Sequence, residues 1–176
     1  PQRSVFRIHR DVRFAKDKSP YKTNAACWFF HRDVGKGVGR EAHGGAGFYF
    51  QIAPRECLLG AGLWMPPAPS LALIRQQLSD EVAEFEAIVL APGFRRRFGS
   101  LDPEAMLTRV PRGFSPDDPA ARWLRYRSFT AGRTISERDI TSPRLVTRLA
   151  NDFERLTPLV RWLNRSLGLP AASARI

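Results

Sequence analysis

The densest group of side chains able to bind an anion lies between positions 3 and 22. These residues include seven basic and two acidic side chains, so they carry 7 − 2 = +5 of a net charge of +11. Three of the four lysines of the chain fall between positions 16 and 22. An ammonium group binds phosphate or carboxylate as a compact point charge. The opening stretch therefore predicts an anion site, with a solvated loop of local Lys–Asp pairs as the competing interpretation.

The expected site combines the opening stretch with one tyrosine and one arginine from later strands. The predicted ligand-binding residues are Arg10, Arg13, Lys18, Tyr21, Lys22, Tyr49 and Arg133. Their cations would stabilise charge on a small phosphate- or carboxylate-bearing ligand. Gly60 and Gly62 leave room for a close approach to the sheet. The pattern assigns no reaction, so the question of an enzyme stays open.

Other arrangements that could support catalysis are weak. His9-x-Asp11 and His31-x-Asp33 each place a histidine and a carboxylate on one side of a predicted strand. Residues 35–40 resemble a phosphate cradle but lack the complete nucleotide-binding pattern, and we interpret them as a loop. Metal-ligand spacings such as Cys-x-x-Cys are absent from the sequence, and neither cysteine has an activating histidine nearby. We expect no metal and no cofactor.

Nucleic-acid binding is one alternative function. Basic and aromatic residues interleave over 122–129, and residues 95–97 form a second basic run. Such a combination can contact the phosphate backbone and stack on bases. The hypothesis requires one continuous basic stripe that joins residues 3–22 to residues 95–97 or to residues 122–127.

A structural or protein-interaction module is the other alternative. Its basic residues would pair internally, with Arg10 and Arg13 bound to carboxylates such as Asp11, Asp17, Asp117 or Asp118. We rank the small-ligand site slightly above this module and place nucleic acid last.

The order of the predicted elements defines the fold class. Alternating residues predict strands at 5–14 and 48–53, with Phe6, Ile8, Val12 and Phe14 inward on the first, and apolar runs predict strands at 25–31 and 56–65. After the prolines at 66–69, apolar residues recur at helical spacing. They predict a helix that is capped by Ser70 and restarts at Ser79 or Asp80, a short helical turn at 92–99 and a short helix at 120–126. The last predicted helix is capped by Thr141 or Ser142, kinked at Pro158 and ended by Gly168. Further strands are predicted at 106–109 and 127–135. We expect an α+β fold in which an antiparallel or mixed sheet from the N-terminal half packs against helices mainly from the C-terminal half.

Composition excludes two classes of protein. Hydrophobic residues make up 43% of the 176 residues and charged residues 26%, which is typical of a globular chain and not of a disordered one. No apolar run approaches the roughly 20 residues of a membrane span. We expect a single domain over 1–176, with two reduced cysteines, a cytoplasmic location and no membrane partner.

Residues 10–22 read Arg-Asp-Val-Arg-Phe-Ala-Lys-Asp-Lys-Ser-Pro-Tyr-Lys. This motif resembles a widespread conserved-hypothetical family, classed as a domain of unknown function and found in bacteria and fungi. Further segments support the resemblance in order: 48–54, 60–66, 112–119, 128–133 and 158–163. The resemblance covers about 5–167 and implies a fold and a candidate surface but no activity. Members usually carry a further N-terminal helical segment, which we expect this chain to lack.

Overall fold

A four-stranded antiparallel sheet forms the framework of the computed structural model, which describes residues 4–14, 16, 18–31, 45–54 and 56–169. The strands, in spatial order, are β1 (Ala25–Phe30), β2 (Gly47–Ile52), β3 (Cys57–Leu63) and β4 (Phe129–Ile135). All three neighbouring pairs are antiparallel. The predicted sheet is therefore confirmed as antiparallel rather than mixed.

The helices lie mostly in the C-terminal half, which confirms the α+β class. They are α1 (Ala68–Val89), α2 (Pro92–Phe98), α3 (Ala121–Leu124), α4 (Glu137–Ile140) and α5 (Leu145–Ser166). The two 22-residue helices, α1 and α5, pack against each other, and α5 also lies on β3. Their contact buries Phe85 of α1 against Trp162 of α5, with ring centroids 4.7 Å apart.

Strand alternation gives the sheet two different faces. Leu59, Ala61 and Phe129 are buried in the main apolar core with the helices. The register sets Trp28, Tyr49, Gly60 and Gly132 opposite one another across β1 to β4. Side chains directly opposite in a ladder share a face, so these four define a second face, here called the outer face. Its members are only half-buried.

The opening segment differs from the prediction. Residues 5–14 do not form a strand; they make isolated bridges, Val5 with Cys27 and His9 with Tyr21. These two bridges are not in one register, so a continuous ladder cannot form. The predicted inward face is also wrong, because Phe14 is 95% exposed and Ile8 is 59% exposed.

The segments between β3 and β4 agree only in part with the prediction. The predicted interruption of the first helix is confirmed at Glu81, whose φ and ψ of −142° and 50° are non-helical. Ser70 is not its cap: the helix begins after Pro67, and Ser70 lies buried in the first turn. Residues 106–109 are irregular rather than a strand.

The two C-terminal helices begin differently, since the first has a side-chain cap and the second has none. Ser136 caps the unpredicted α4 by accepting a bond from the backbone N–H of Asp139. The last helix begins at Leu145, with Arg144 rather than Thr141 or Ser142 at the cap position, and continues through Pro158. Its last helical residue is Ser166, and Gly168, with a φ of 74°, lies in the turn that follows, where the N–H of Leu169 donates to the carbonyl of Asn164 over 2.9 Å.

Asn164 joins α5 to the start of β2. Its side-chain amide donates to the carbonyl of Ala46 over 3.2 Å and accepts from the N–H of Ala46 over 2.7 Å. Ala46 is fully buried, so removing the amide leaves two backbone groups without a partner or water. We expect Asn164→Ala to lower the free energy of unfolding by about 2 kcal/mol in urea denaturation. Asn151→Ala, at an exposed position of the same helix, should lower it by less than about 0.5 kcal/mol.

Candidate functional site

The opening segment lies against the free edge of β1. The N–H of Phe6 donates to the carbonyl of Ala26 over 3.0 Å, and the N–H of Lys22 donates to the carbonyl of Ile8 over 2.8 Å. These bonds hold Phe6 and Lys22 on opposite arms of an irregular hairpin that continues the sheet. The candidate site forms where this hairpin meets the outer face.

A small depression at this junction has a volume of about 150 Å³ and is lined by Phe6, Lys22, Asn24, Ala26 and Tyr49. The rings of Phe6 and Tyr49 meet edge to face, with centroids 6.3 Å apart. The ammonium of Lys22 lies 5.6 Å from the centre of the Phe6 ring. Two of the predicted ligand-binding residues, Lys22 and Tyr49, are thus brought together.

Among the described residues that line this depression, Lys22 is the cation. It makes no ion pair with any carboxylate in the part of the chain that the structure describes. Its nearest electrostatic contact there is the π face of Phe6, which is a weak partner for an exposed ammonium. The three N–H groups of Lys22 are therefore able to bind an anion.

Gln51 fixes the polar wall of the depression. Its side-chain oxygen accepts from the hydroxyl of Tyr49 over 2.7 Å and from the amide of Asn24 over 3.1 Å. Burial and the nearby Cys27 raise the pKa of Tyr49, so its hydroxyl stays protonated at neutral pH and keeps donating to Gln51. Asn24 uses one of its two N–H donors in this way, which leaves the second for a ligand.

Asn24 and Gln51 were not among the residues predicted from the sequence. Gln51 follows Tyr49 by two positions, so strand alternation alone places both on one face of β2. Asn24 joins them only through the pairing of Ala26 with Gln51, a cross-strand register that periodicity in one strand does not reveal.

The other predicted cations of the opening segment point to partners of their own. Arg13 binds Asp11 through two bonds of 2.9 and 2.7 Å, and these bonds hold the pKa of Asp11 well below its ordinary value. Lys18 donates to the carbonyl of Val12 over 2.9 Å. Arg10 donates to the hydroxyl of Ser19 over 2.9 Å. The structure does not bring these three cations to the depression.

Tyr21 and Arg133 also lie elsewhere. The ring of Tyr21 packs beside that of His9, with centroids 5.3 Å apart. Arg133 pairs with Leu59 in the β3–β4 ladder and so faces the helices, where its Nε and terminal N–H bind Asp152 over 2.9 and 2.6 Å. The sheet separates Arg133 from the outer face.

The arrangements considered for catalysis gain little from the structure. The carboxylate of Asp11 is bound by Arg13 on both oxygens, while His9 contacts Tyr21. Asp33, His43 and residues 35–40 lie outside the described residues. Within the described ranges, no group of three or more His, Cys, Asp or Glu side chains could hold a metal ion.

The two cysteines form no disulfide. Cys27 and Cys57 are both free, and burial raises the pKa of Cys27, which keeps it a thiol rather than a nucleophilic thiolate.

No helix of the described segments combines the length and apolar character that crossing a bilayer demands.

Comparison with known proteins gives one match. The family model described as "Conserved hypothetical protein (DUF2461)" matches residues 1–162, almost the whole chain. No curated protein and no solved structure matches the chain. The resemblance drawn from the sequence to a conserved family of unknown function is confirmed at the level of the family. The chain belongs to the conserved hypothetical protein family DUF2461.

Proposed function

We propose that this protein binds a small anionic ligand in the depression between the opening hairpin and β2. The observation that carries the proposal is the position of Lys22. Its ammonium lacks a carboxylate partner among the described residues and stands at a concave surface that also holds a spare N–H of Asn24. A carboxylate placed there would receive a charge-assisted hydrogen bond and a neutral one.

The size and lining of the depression favour a monoanion with a short apolar part. Its volume of about 150 Å³ is roughly half of the smallest typical pocket for a drug-sized ligand. One ammonium matches one negative charge, which favours a carboxylate over a doubly charged phosphate. The rings of Phe6 and Tyr49 supply apolar contact beside the charged end.

The internal pairing of other cations supports a structural role for those residues. Arg13 donates two hydrogen bonds to the carboxylate of Asp11, and Arg133 donates two to that of Asp152. Such pairs leave less positive charge available to a ligand than the sequence indicates. The proposal is accordingly narrower than the seven-residue site expected from the sequence and rests on Lys22 and Tyr49, with Asn24 added.

The arrangement of the basic runs gives nucleic-acid binding less support. The opening segment borders β1, at one edge of the sheet. The helix α2, which carries Arg95, Arg96 and Arg97, contacts β4 at the other edge. The opening segment and residues 95–97 therefore lie beside opposite edges of the sheet, which gives little support to one continuous basic stripe between them. We also propose a cytoplasmic location, in keeping with two free cysteines.

The proposal predicts that Lys22→Gln weakens carboxylate binding. Titration of the labelled protein with sodium propionate at constant ionic strength, followed by NMR, should give saturable shifts at Asn24 and Tyr49. Loss of the charge-assisted bond should raise Kd about tenfold or more, equivalent to about 1.4 kcal/mol. Inorganic phosphate, titrated in parallel, should bind this site more weakly than propionate.

Lys18→Gln is the matched control. It removes the same charge from the same segment, but Lys18 is bound to the carbonyl of Val12 and does not line the depression. We expect its Kd for propionate to stay within about twofold of the original. Equal weakening by both variants would show a general effect of net charge and would contradict the site.

A further inference from the structure

A second positively charged concavity lies beyond the end of β4, where the sequence indicated no site. It has a volume of about 590 Å³, and its lining residues are Ser136, Arg138, Asp139, Ser142, Arg144 and Arg148. These residues come from α4, from the turn that follows it and from the start of α5. Two changes of direction within a dozen residues thus bring three guanidinium groups around one cavity.

The charges around this cavity do not balance. Among the described residues that line it, Asp139 is the one acidic residue, and it forms an ion pair with Arg148. Arg138 and Arg144 have no carboxylate partner among the residues that the structure describes. The lining therefore carries 3 − 1 = +2.

The start of α5 adds to this positive field. The helix is 22 residues long, has no acidic residue in its first turn and lacks a side-chain cap. Arg144 occupies the cap position, and Arg148 follows in the next turn. A helix N-terminus carries a partial positive charge, so cations there are unfavourable and an anion offsets both sources of repulsion.

We propose that this cavity binds the phosphate group of a small phosphate-bearing ligand. Guanidinium groups form paired hydrogen bonds that match the oxygens of phosphate, and two unpaired arginines match its two negative charges. Ser136 and Ser142 accept backbone bonds from Asp139 and Arg144 through their oxygens, which leaves both hydroxyl hydrogens to donate.

The volume indicates what accompanies the phosphate. At about 590 Å³ the cavity lies in the range of small-ligand sites and exceeds what a bare phosphate ion occupies. A phosphate monoester with an organic part is the chemical class that fits. The ion pair with Asp139 holds the guanidinium of Arg148 in place before a ligand arrives, which reduces the ordering needed on binding.

This site is independent of the carboxylate site at Lys22. Ser136 follows β4, and Asn24 precedes β1, so the two sites lie beside opposite edge strands. The spacing of neighbouring strands sets these edges about 14 Å apart. A substitution in one site is therefore expected to leave the other intact.

The test compares phosphate binding by an Arg138→Gln/Arg144→Gln double variant with binding by the original protein. Isothermal titration calorimetry with phenyl phosphate and with inorganic phosphate, at constant ionic strength, measures both Kd values. We expect submillimolar binding of phenyl phosphate, weaker binding of inorganic phosphate, and at least a 30-fold rise in the Kd of phenyl phosphate in the double variant. Both arginines are exposed and unpaired in the described structure, so the variant should fold, which circular dichroism checks.

The matched control is Arg95→Gln/Arg96→Gln, which removes two exposed arginines from α2. The proposal requires this control and Lys22→Gln to keep the Kd within about twofold. Similar losses in the two double variants, or no saturable binding of either probe by the original protein, would overturn the site. Inorganic phosphate binding as tightly as phenyl phosphate would overturn the assignment of a monoester and leave a simple phosphate site.

Discussion

Replacing Asp152 with asparagine is expected to lower the free energy of unfolding by about 3–5 kcal/mol, as measured by urea denaturation at pH 7. Asp152 is only 1% exposed and lies in α5. Arg97 of α2 binds it over 2.6 and 2.9 Å, and Arg133 of β4 binds it over 2.9 and 2.6 Å. One carboxylate thus joins three elements that are far apart in the sequence.

The size of the effect follows from what asparagine leaves behind. The amide is close in shape to the carboxylate but neutral, and its NH₂ group points donors at guanidiniums that are themselves donors only. Arg133, whose side chain is 19% exposed, would then remain partly buried without a counter-charge. Removing one member of a buried ion pair costs more than the pair contributes, because the desolvation of the remaining charge is no longer offset.

The same site predicts a dependence of stability on pH. Burial alone raises the pKa of Asp152, but the hydrogen bonds and charges of Arg97 and Arg133 outweigh it and hold that pKa below the ordinary value. A carboxyl whose pKa is lower in the folded state stabilises the fold fully above its unfolded pKa, about 3.9. This stabilisation is lost as the pH falls through the folded value. The difference between the original protein and Asp152→Asn should therefore shrink below pH 4.

Glu84→Gln is the control for this experiment. Glu84 pairs with Arg165 at the surface, where the two side chains are 47% and 57% exposed. Solvent screens such a pair, so its loss should lower the free energy of unfolding by at most about 1 kcal/mol. If Asp152→Asn were no more damaging than Glu84→Gln, the buried carboxylate would not be holding the helices to the sheet.

The position of Asp152 shows what a sequence can reveal about such an interaction. Leu149, Phe153 and Leu156 define the apolar stripe of the last helix, and Asp152 lies three residues after the first and four before the last. A carboxylate at that spacing must face the core, and a buried carboxylate needs a cation. The need for a partner could therefore be predicted. Its identity could not, because Arg97 and Arg133 reach it only through the packing of α2 and β4.

The strands and helices with strong periodicity were predictable for a similar reason. Burial of one face creates the alternating pattern of β2 and the helical pattern of α5, while β1 and β3 are recognisable as short apolar runs. The opening segment has the same alternation but a different structure, because it pairs with an edge and lacks a covering layer that would use its apolar side. Phe14 illustrates the point: a pattern that predicts burial ends in a side chain that is 95% exposed.

The two candidate sites mark the limit of prediction for function. Lys22 and Tyr49 could be chosen from residue type and position. Arg10 and Arg13 are separated from them by local hydrogen bonds, and Arg133 is separated because it lies on the opposite face of the sheet. The cavity with Arg138 and Arg144 was missed because it requires α4, a single turn too short to show helical periodicity. Charge composition thus identifies candidates, while the register of strands and the direction of turns decide which of them meet.

Gly62→Ala is expected to be the second most damaging substitution, lowering the free energy of unfolding by about 4 kcal/mol or preventing folding. Gly62 has a φ of +127°, a conformation that residues with a Cβ rarely adopt. A Cβ at this position would collide with the backbone of the neighbouring strand, at the carbonyl group of Phe129 and the Cα of Thr130. These atoms belong to the backbone and not to the end of a flexible side chain, so β3 and β4 would have to separate to make room for the methyl group.

Gly93→Ala distinguishes this backbone effect from a general intolerance of added volume. Gly93 lies in α2, and the nearest atom to its built Cβ is the flexible end of Arg155 at 4.0 Å. Alanine should raise the free energy of unfolding there by about 0.5–1 kcal/mol, since it restricts the unfolded chain and suits a helix. Opposite signs for the two glycine substitutions in urea denaturation are the expected result. A mild effect of Gly62→Ala would mean that the β3–β4 pairing can relax at Gly62, and that the outer face is less rigid than its register indicates.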